Sequence, residues 1–221
     1  MAQENDENYI LSALEAVEEV CAAYPQGFID QLAYGDYKTI EIHLAGNLTK
    51  KTLPEGDGSG FTTFTGFFES IGGKSIIVAD ITSPGSLVQT MHHEMMHLID
   101  NKLAFDARLD ADALYSEDLW QTLNPSDFVY ADTYTDLPME IYTDGYEQWF
   151  VDIYSRTYAK EDRARIMENA MVGNDWIFVS SPGRLAKLEY LCKCIRDAFD
   201  TEGWPKQTIW EKTLKNAGLK D

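Results

Sequence analysis

The chain has 221 residues, 44% of them hydrophobic and 25% charged, which is long enough for a core of its own and excludes wholesale disorder. Thirty-seven Asp and Glu against 18 Lys and Arg give a formal charge of −19, a balance that suits solubility and repels nucleic-acid backbones and anionic membranes. No apolar run has the length of a bilayer span, no fixed-period repeat is visible, and three cysteines cannot close a disulfide framework.

No leader peptide is visible in the polar start after Met1, which is read as either a native start or one from which a leader has been removed. Residues 8–24 carry a helical period, with Ile10, Leu14, Val17 and Cys21 on the expected inner face. Pro25 ends that helix or opens a short second one through Phe28 and Leu32. Residues 38–44 alternate as a half-buried strand, Ile40, Ile42 and Leu44 inward, Glu41 and His43 outward. A glycine-rich loop at 54–60 precedes two β-rich runs, 61–69 and 74–80, joined as a hairpin through Gly72-Gly73. Ser83 as N-cap and Pro84 in the first turn then open a helix expected to run to about Asn101.

Residues 103–152 are irregular and acidic, with twelve Asp or Glu against the single base Arg108. A segment of this kind is either a functional rim or a solvated insertion with one or two short helices. Its carboxylates lack the spacing of an EF-hand. Two further helices are expected, at 159–171 and 184–199, the second with the stripe Leu185, Leu188, Cys192, Ile195 and Phe199. Cys192 and Cys194 diverge by roughly 200° on that helix and cannot chelate one metal together. Trp204 and Trp210 are expected to pack back on the core. Strands early and helices late give an α+β fold, read as a single domain over residues 1–221.

The chemistry concentrates in His93-Glu94-Met95-Met96-His97. On a helix, residues four apart lie roughly 40° apart around the axis and one turn apart along it. Two imidazoles so placed can bind one Zn²⁺ from the same side, and the glutamate between them can reach a water on that metal as general base. Histidines on a core-facing helix also need a partner to offset their burial. His92 points about 100° away from His93 and is read as a surface or supporting residue. His43 is read as solvated, so the third ligand is expected to be a carboxylate. Asp100 is too nearly in line with the histidines to complete a tetrahedron, and a hydrogen bond to a ligand histidine's other nitrogen fits it better. Spacing favours Glu161, with Glu168 on the same face, over Asp106, Asp110 or Asp112. Tyr154 and Tyr158, seven and three residues before Glu161, are each candidates to donate a hydrogen bond to an oxyanion.

The motif His93–His97 followed by Tyr154-Ser155-Arg156-Thr157-Tyr158-Ala159-Lys160-Glu161-Asp162 resembles the gluzincin metallopeptidases. Within them it is most similar to the anthrax lethal factor and Pro-Pro endopeptidase superfamily and to zinc-binding peptidases of Gram-positive bacteria. The runs Leu123-Asn124-Pro125, Glu161–Ala164, Leu188–Cys192 and Ile195–Asp200 extend the likeness to the latter over residues 85–211. The resemblance implies a zincin-like metallopeptidase domain with one Zn²⁺ on His93, His97 and Glu161. It implies Glu94 as general base and Tyr154 as oxyanion donor, with Tyr158 the substitute and Asp100 a supporting acid. Arg165 stands where lethal-factor relatives carry an acidic residue, and the acidic segment lengthens the gap between His97 and Glu161.

The expected function is a zinc metalloendopeptidase acting on a peptide or protein. Strand 74–80 is expected to pair with an extended substrate. The alternatives are a catalytically silent metal-bearing module of the cell surface and a hydrolase of non-peptide amides. The resemblance points to an extracellular or surface location, with the cytoplasm as the alternative; no nucleic-acid partner and no membrane span are expected.

Overall fold

The computed structural model describes residues 2–51, 61–63, 65–83, 85–134, 145–179 and 181–218. Helix α1 (Ala2–Ala23) leads through a 3-10 turn at Ile29–Leu32 to strand β1 (Thr39–Ala45) and the short strands β2 (Thr49–Lys51) and β3 (Phe61–Thr63). Strands β4 (Gly66–Ile71) and β5 (Lys74–Asp80) follow, then helices α2 (Leu87–Ala107), α3 (Glu117–Thr122), α4 (Ala159–Met171), α5 (Pro182–Ala198) and α6 (Ile209–Gly218). The fold class is α+β, with a sheet ordered β1-β5-β4 and a separate β2-β3 ribbon. The expected glycine-rich loop at 54–60 lies outside the described residues.

The hairpin forms where Gly72-Gly73 predicts it. Both glycines have positive φ, +58° and +77°, as a two-residue turn with the twist of its flanking strands requires. The run 61–69 is not one strand: Phe61–Thr63 pairs with β2, and only Gly66–Ile71 joins β5. Strand β5 is central, parallel to β1 and antiparallel to β4, so its two hydrogen-bonding edges are both taken. It therefore cannot receive a substrate strand, contrary to the expectation; β4 holds the sheet edge on that side.

Asp80 closes β5 and fastens the chain around it. Its carboxylate accepts from the backbone N–H of Asn47 (3.2 Å), Leu48 (2.8 Å) and Thr82 (2.8 Å) and from the Thr82 hydroxyl (2.6 Å). Burial pushes the carboxyl up, but these donors outweigh it and hold it below the ordinary range. Asp80→Ala leaves the donors without that acceptor. It is expected to cost about 2–3 kcal/mol in urea unfolding at pH 7.

Helix α2 is the central element, buried from Met91 to Met96 and again at Leu98–Asp100 and Leu103, save the partly covered His97. It packs against the sheet, α1, α4 and α5, which is why its apolar residues do not keep to one face. Its N-cap is Ser86, whose hydroxyl accepts from the Gln89 N–H, rather than Ser83. Pro84 lies outside the described residues. The helix runs past Asn101 to Ala107 because no breaker intervenes and Leu103 continues the buried stripe.

Helix α1 is rotated from its expected setting. Ala13, Ala16, Val20 and Tyr24 face inward, while Ile10 and Leu14 are about half exposed. Tyr24 sets that rotation: its ring stacks on Phe28 and leans on Trp210, and its hydroxyl meets Nδ1 of His92 at 3.1 Å. The alanines allow the close approach. Cys21 is only partly buried, whereas Cys192 and Cys194 are in the core, and all three thiols are free. Helix α6 follows the two expected C-terminal helices and carries buried Trp210 onto Tyr24 and Phe28. No helix among the described residues is long and apolar enough to cross a membrane.

Candidate metal centre

The sequence motif lies in the middle of α2, and the first turn of α4 packs against it. One helical turn separates His93 from His97, whose rings meet edge to face at 4.9 Å. From α4, Glu161 turns a single oxygen toward both: Oε2 lies 3.0 Å from His93 Nε2 and 3.3 Å from His97 Nε2. Atoms bound to a tetrahedral zinc at about 2.0–2.1 Å stand roughly 3.3–3.4 Å from one another, so the three donors fit a metal ion of that size. His93, His97 and Glu161 form the group that could hold one among the described residues. Asp106 and Asp110 are engaged elsewhere, with Lys102 and with the N–H of Asp112, and Asp112 itself is exposed.

The support around His93 comes from Glu168 rather than Asp100. Two turns along α4 from Glu161, its Oε2 lies 2.7 Å from His93 Nδ1. Its Oε1 accepts from Gln89 (2.9 Å) and Arg165 (2.8 Å). Arg165 also pairs with Asp152 at 3.0 Å, so the cation in the expected acidic position serves to hold Glu168. Asp100 instead binds Arg163 and accepts from the Tyr115 hydroxyl at 2.8 Å. His92 is not at the surface: it is buried beside Tyr24, and burial lowers its pKa to about 4 despite Glu168. His43 is exposed and lies 3.0 Å from Glu41, as its place on the strand predicts.

Glu161, Asp162 and Arg163 are consecutive, charged and all buried. Successive helix positions point about 100° apart, and each finds its own counter-charge. Glu161 meets the histidines, Asp162 meets Lys187 at 2.7 Å, and Arg163 meets Asp100 and Glu117. Segment 103–134 provides Tyr115, Glu117, Trp120 and Tyr130 to these networks and is no mere solvated insertion.

Two neighbouring clefts, of about 640 and 410 Å³, share Gly66, His93, Glu94 and Tyr154 in their walls. Together they form one groove crossing the motif. Edge residues Gly66–Ser70 of β4 line the first, and Gln89, Arg165 and Glu168 line the second. Gly66 has to lack a side chain: a Cβ there would come within 2.8 Å of Thr90, 3.0 Å of the Val78 carbonyl and 3.2 Å of Glu94 Oε1.

Burial raises the Glu94 carboxyl, opposed by His93 and His97. For Glu161, burial also raises, but the two imidazoles outweigh it and hold the group well below the carboxylate range. Tyr154 is 37% exposed and lies 6.0 Å, ring to ring, from His93. Burial, then Glu161 and Glu94, push its hydroxyl up, so it remains a proton donor at neutrality. Tyr158, the substitute candidate, is not among the described residues lining the groove; its ring rests on Tyr134 at 4.6 Å. Tyr134, which carried no sequence signal, is there instead and donates to Glu161 Oε1 at 2.7 Å.

Burial lowers the His93 pKa, but hydrogen bonds donated by its ring to Glu161 and Glu168 outweigh it and raise it to about 9 in the metal-free chain. A raised folded pKa stabilises the fold fully below the ordinary 6.5, and that contribution is lost as pH rises through about 9. Metal binding must expel the proton. Apparent zinc affinity is therefore expected to rise about tenfold per pH unit from pH 7 toward 9. Titration calorimetry in buffers of different ionisation heat should count about one proton released from this group at pH 7.

Comparison with family models, with curated proteins and with solved structures finds no match.

Proposed function

We propose that the chain is a zinc metalloendopeptidase with a zincin-like fold. The observation that carries this reading is convergence: His93, Glu94, His97, Glu161 and Tyr154 all face one groove that continues past the motif on both sides. Two imidazole nitrogens and a carboxylate oxygen within 4.8 Å of one another suit a zinc site with its fourth position open. Zinc held there would supply Lewis acidity and a water of lowered pKa.

The chain's own groups account for the rest. Glu94 takes the proton of the attacking water and delivers it to the amine nitrogen as the C–N bond breaks. Its raised pKa suits a group that must first accept and then release a proton. Tyr154 donates to the oxygen that becomes an oxyanion. Glu168 orients His93, and Arg165 and Gln89 orient Glu168. The β4 edge, unpaired among the described residues, offers backbone groups to an extended peptide, taking the part expected of β5. A groove open beyond both sides of Glu94 suits cleavage within a chain rather than at its end.

The test is a mixed peptide library incubated with zinc-loaded protein and read by mass spectrometry, beside chelated protein. Internal cuts abolished by the chelator and restored by zinc are expected. Stoichiometric zinc with no cut in any peptide or denatured protein would reject the peptidase and leave a metal-bearing binding module.

A further inference from the structure

Among the described residues of the acidic segment, Tyr134 meets a candidate metal ligand directly. The Tyr134 hydroxyl donates to Glu161 Oε1 at 2.7 Å, the carboxylate oxygen that does not face the histidines. Its ring stacks on Tyr154 at 5.8 Å and 24°, and Lys160 Nζ lies 5.9 Å from the ring centre. The backbone just before it is tied to the turn carrying Tyr154: Ala131 N–H donates to the Arg156 carbonyl at 3.0 Å, and Asp132 N–H to Thr157 at 2.9 Å. At the second anchor the chain turns: the φ of Asp132, +54°, lies in the left-handed region that Asp tolerates and β-branched residues do not.

A carboxylate can bind zinc through one oxygen or two. With Oε1 engaged by a hydroxyl, only Oε2 is available, and the coordination sphere keeps an open position for water. We propose that Tyr134 is a positioning residue of the metal centre, holding Glu161 to one-oxygen ligation and setting the ring of Tyr154 beside it. This rests on the metal-site reading above. It extends the centre to a residue outside both the His93–His97 motif and the 154–162 run.

Tyr134→Phe removes the hydroxyl and keeps the ring. Zinc affinity, measured by competition with a chromophoric chelator, is expected to fall about 10–100-fold, the usual loss when a ligand's supporting partner is removed. Cobalt in place of zinc should show weaker visible absorption in the variant, because a second carboxylate oxygen raises the coordination number. Thermal unfolding of the metal-free proteins checks that both are folded. Asp132→Val keeps the hydroxyl but strains the backbone and should reproduce the loss, whereas Asp132→Gly should not. If the unmodified chain binds metal tightly and Tyr134→Phe matches it in affinity and cobalt spectrum, the positioning role is wrong and the metal site stands. If the unmodified chain binds no metal, the site and the role fall together.

Discussion

Glu94→Gln is expected to retain stoichiometric zinc and to lose about 10²–10⁴-fold in kcat/KM on the best-cleaved library peptide. The amide has the size of the carboxylate, so the close packing of Glu94 Oε1 over Gly66 is preserved. The three metal donors are on other residues, so occupancy has no reason to change. What disappears is the ability to take a proton. Glu94→Asp keeps the charge but withdraws it by one methylene, and its cleavage should remain far below that of the unmodified chain if proton transfer needs contact. Metal content by mass spectrometry and single-turnover rates separate the two effects. Cleavage by Glu94→Gln at the unmodified rate would remove Glu94 from the chemistry, whatever the metal does.

The motif on α2 is legible because spacing and geometry are the same fact: four residues make one turn, and one turn sets two imidazoles where a single ion could meet both. With no third histidine to spare, a carboxylate is the expected partner, and of the sequence candidates Glu161 is the one grouped with the two imidazoles. Glu168 lay on the face that spacing assigns, but whether Glu168 or Asp100 reaches His93 depends on how α4 crosses α2, which no local pattern records. Tyr134 follows irregular chain with no period. Its place is set by two long-range backbone hydrogen bonds, to Arg156 and Thr157. The α1 stripe misled because hydrophobicity ranked Ile10 and Leu14 above alanine, whereas close packing against α2 needs the small residues. Thr208 and Glu211 form a capping box, with the Thr208 N–H on Glu211 Oε2 at 2.7 Å, a local pattern that marks the start of α6.

Lys187→Met is expected to destabilise the fold by about 3–5 kcal/mol, the cost of leaving one charge of a buried pair behind. Lys187 and Asp162 are both fully buried, 2.7 Å apart. The ammonium also donates to the Trp149 carbonyl at 2.8 Å and sits 3.8 Å from the centre of the Phe150 ring. Burial pulls Lys187 down against the pull of Asp162 and pushes Asp162 up against Lys187, so each is the main support for the other's charge in a site that disfavours both. With methionine at 187, Asp162 keeps the Tyr130 hydroxyl at 2.7 Å, and its Oδ1 has no hydrogen-bond partner in either case. Replacing both members, Lys187→Met with Asp162→Leu, removes the stranded charge and should recover most of the loss. Urea unfolding of the two single variants and the double variant gives the coupling directly. A double variant no more stable than the less stable single would show that the pair contributes shape rather than charge. The metal site supplies an independent readout. Asp162 adjoins Glu161, so a first turn of α4 loosened by an unpaired Asp162 should also bind zinc more weakly, and the double variant should bind it nearly as well as the unmodified chain.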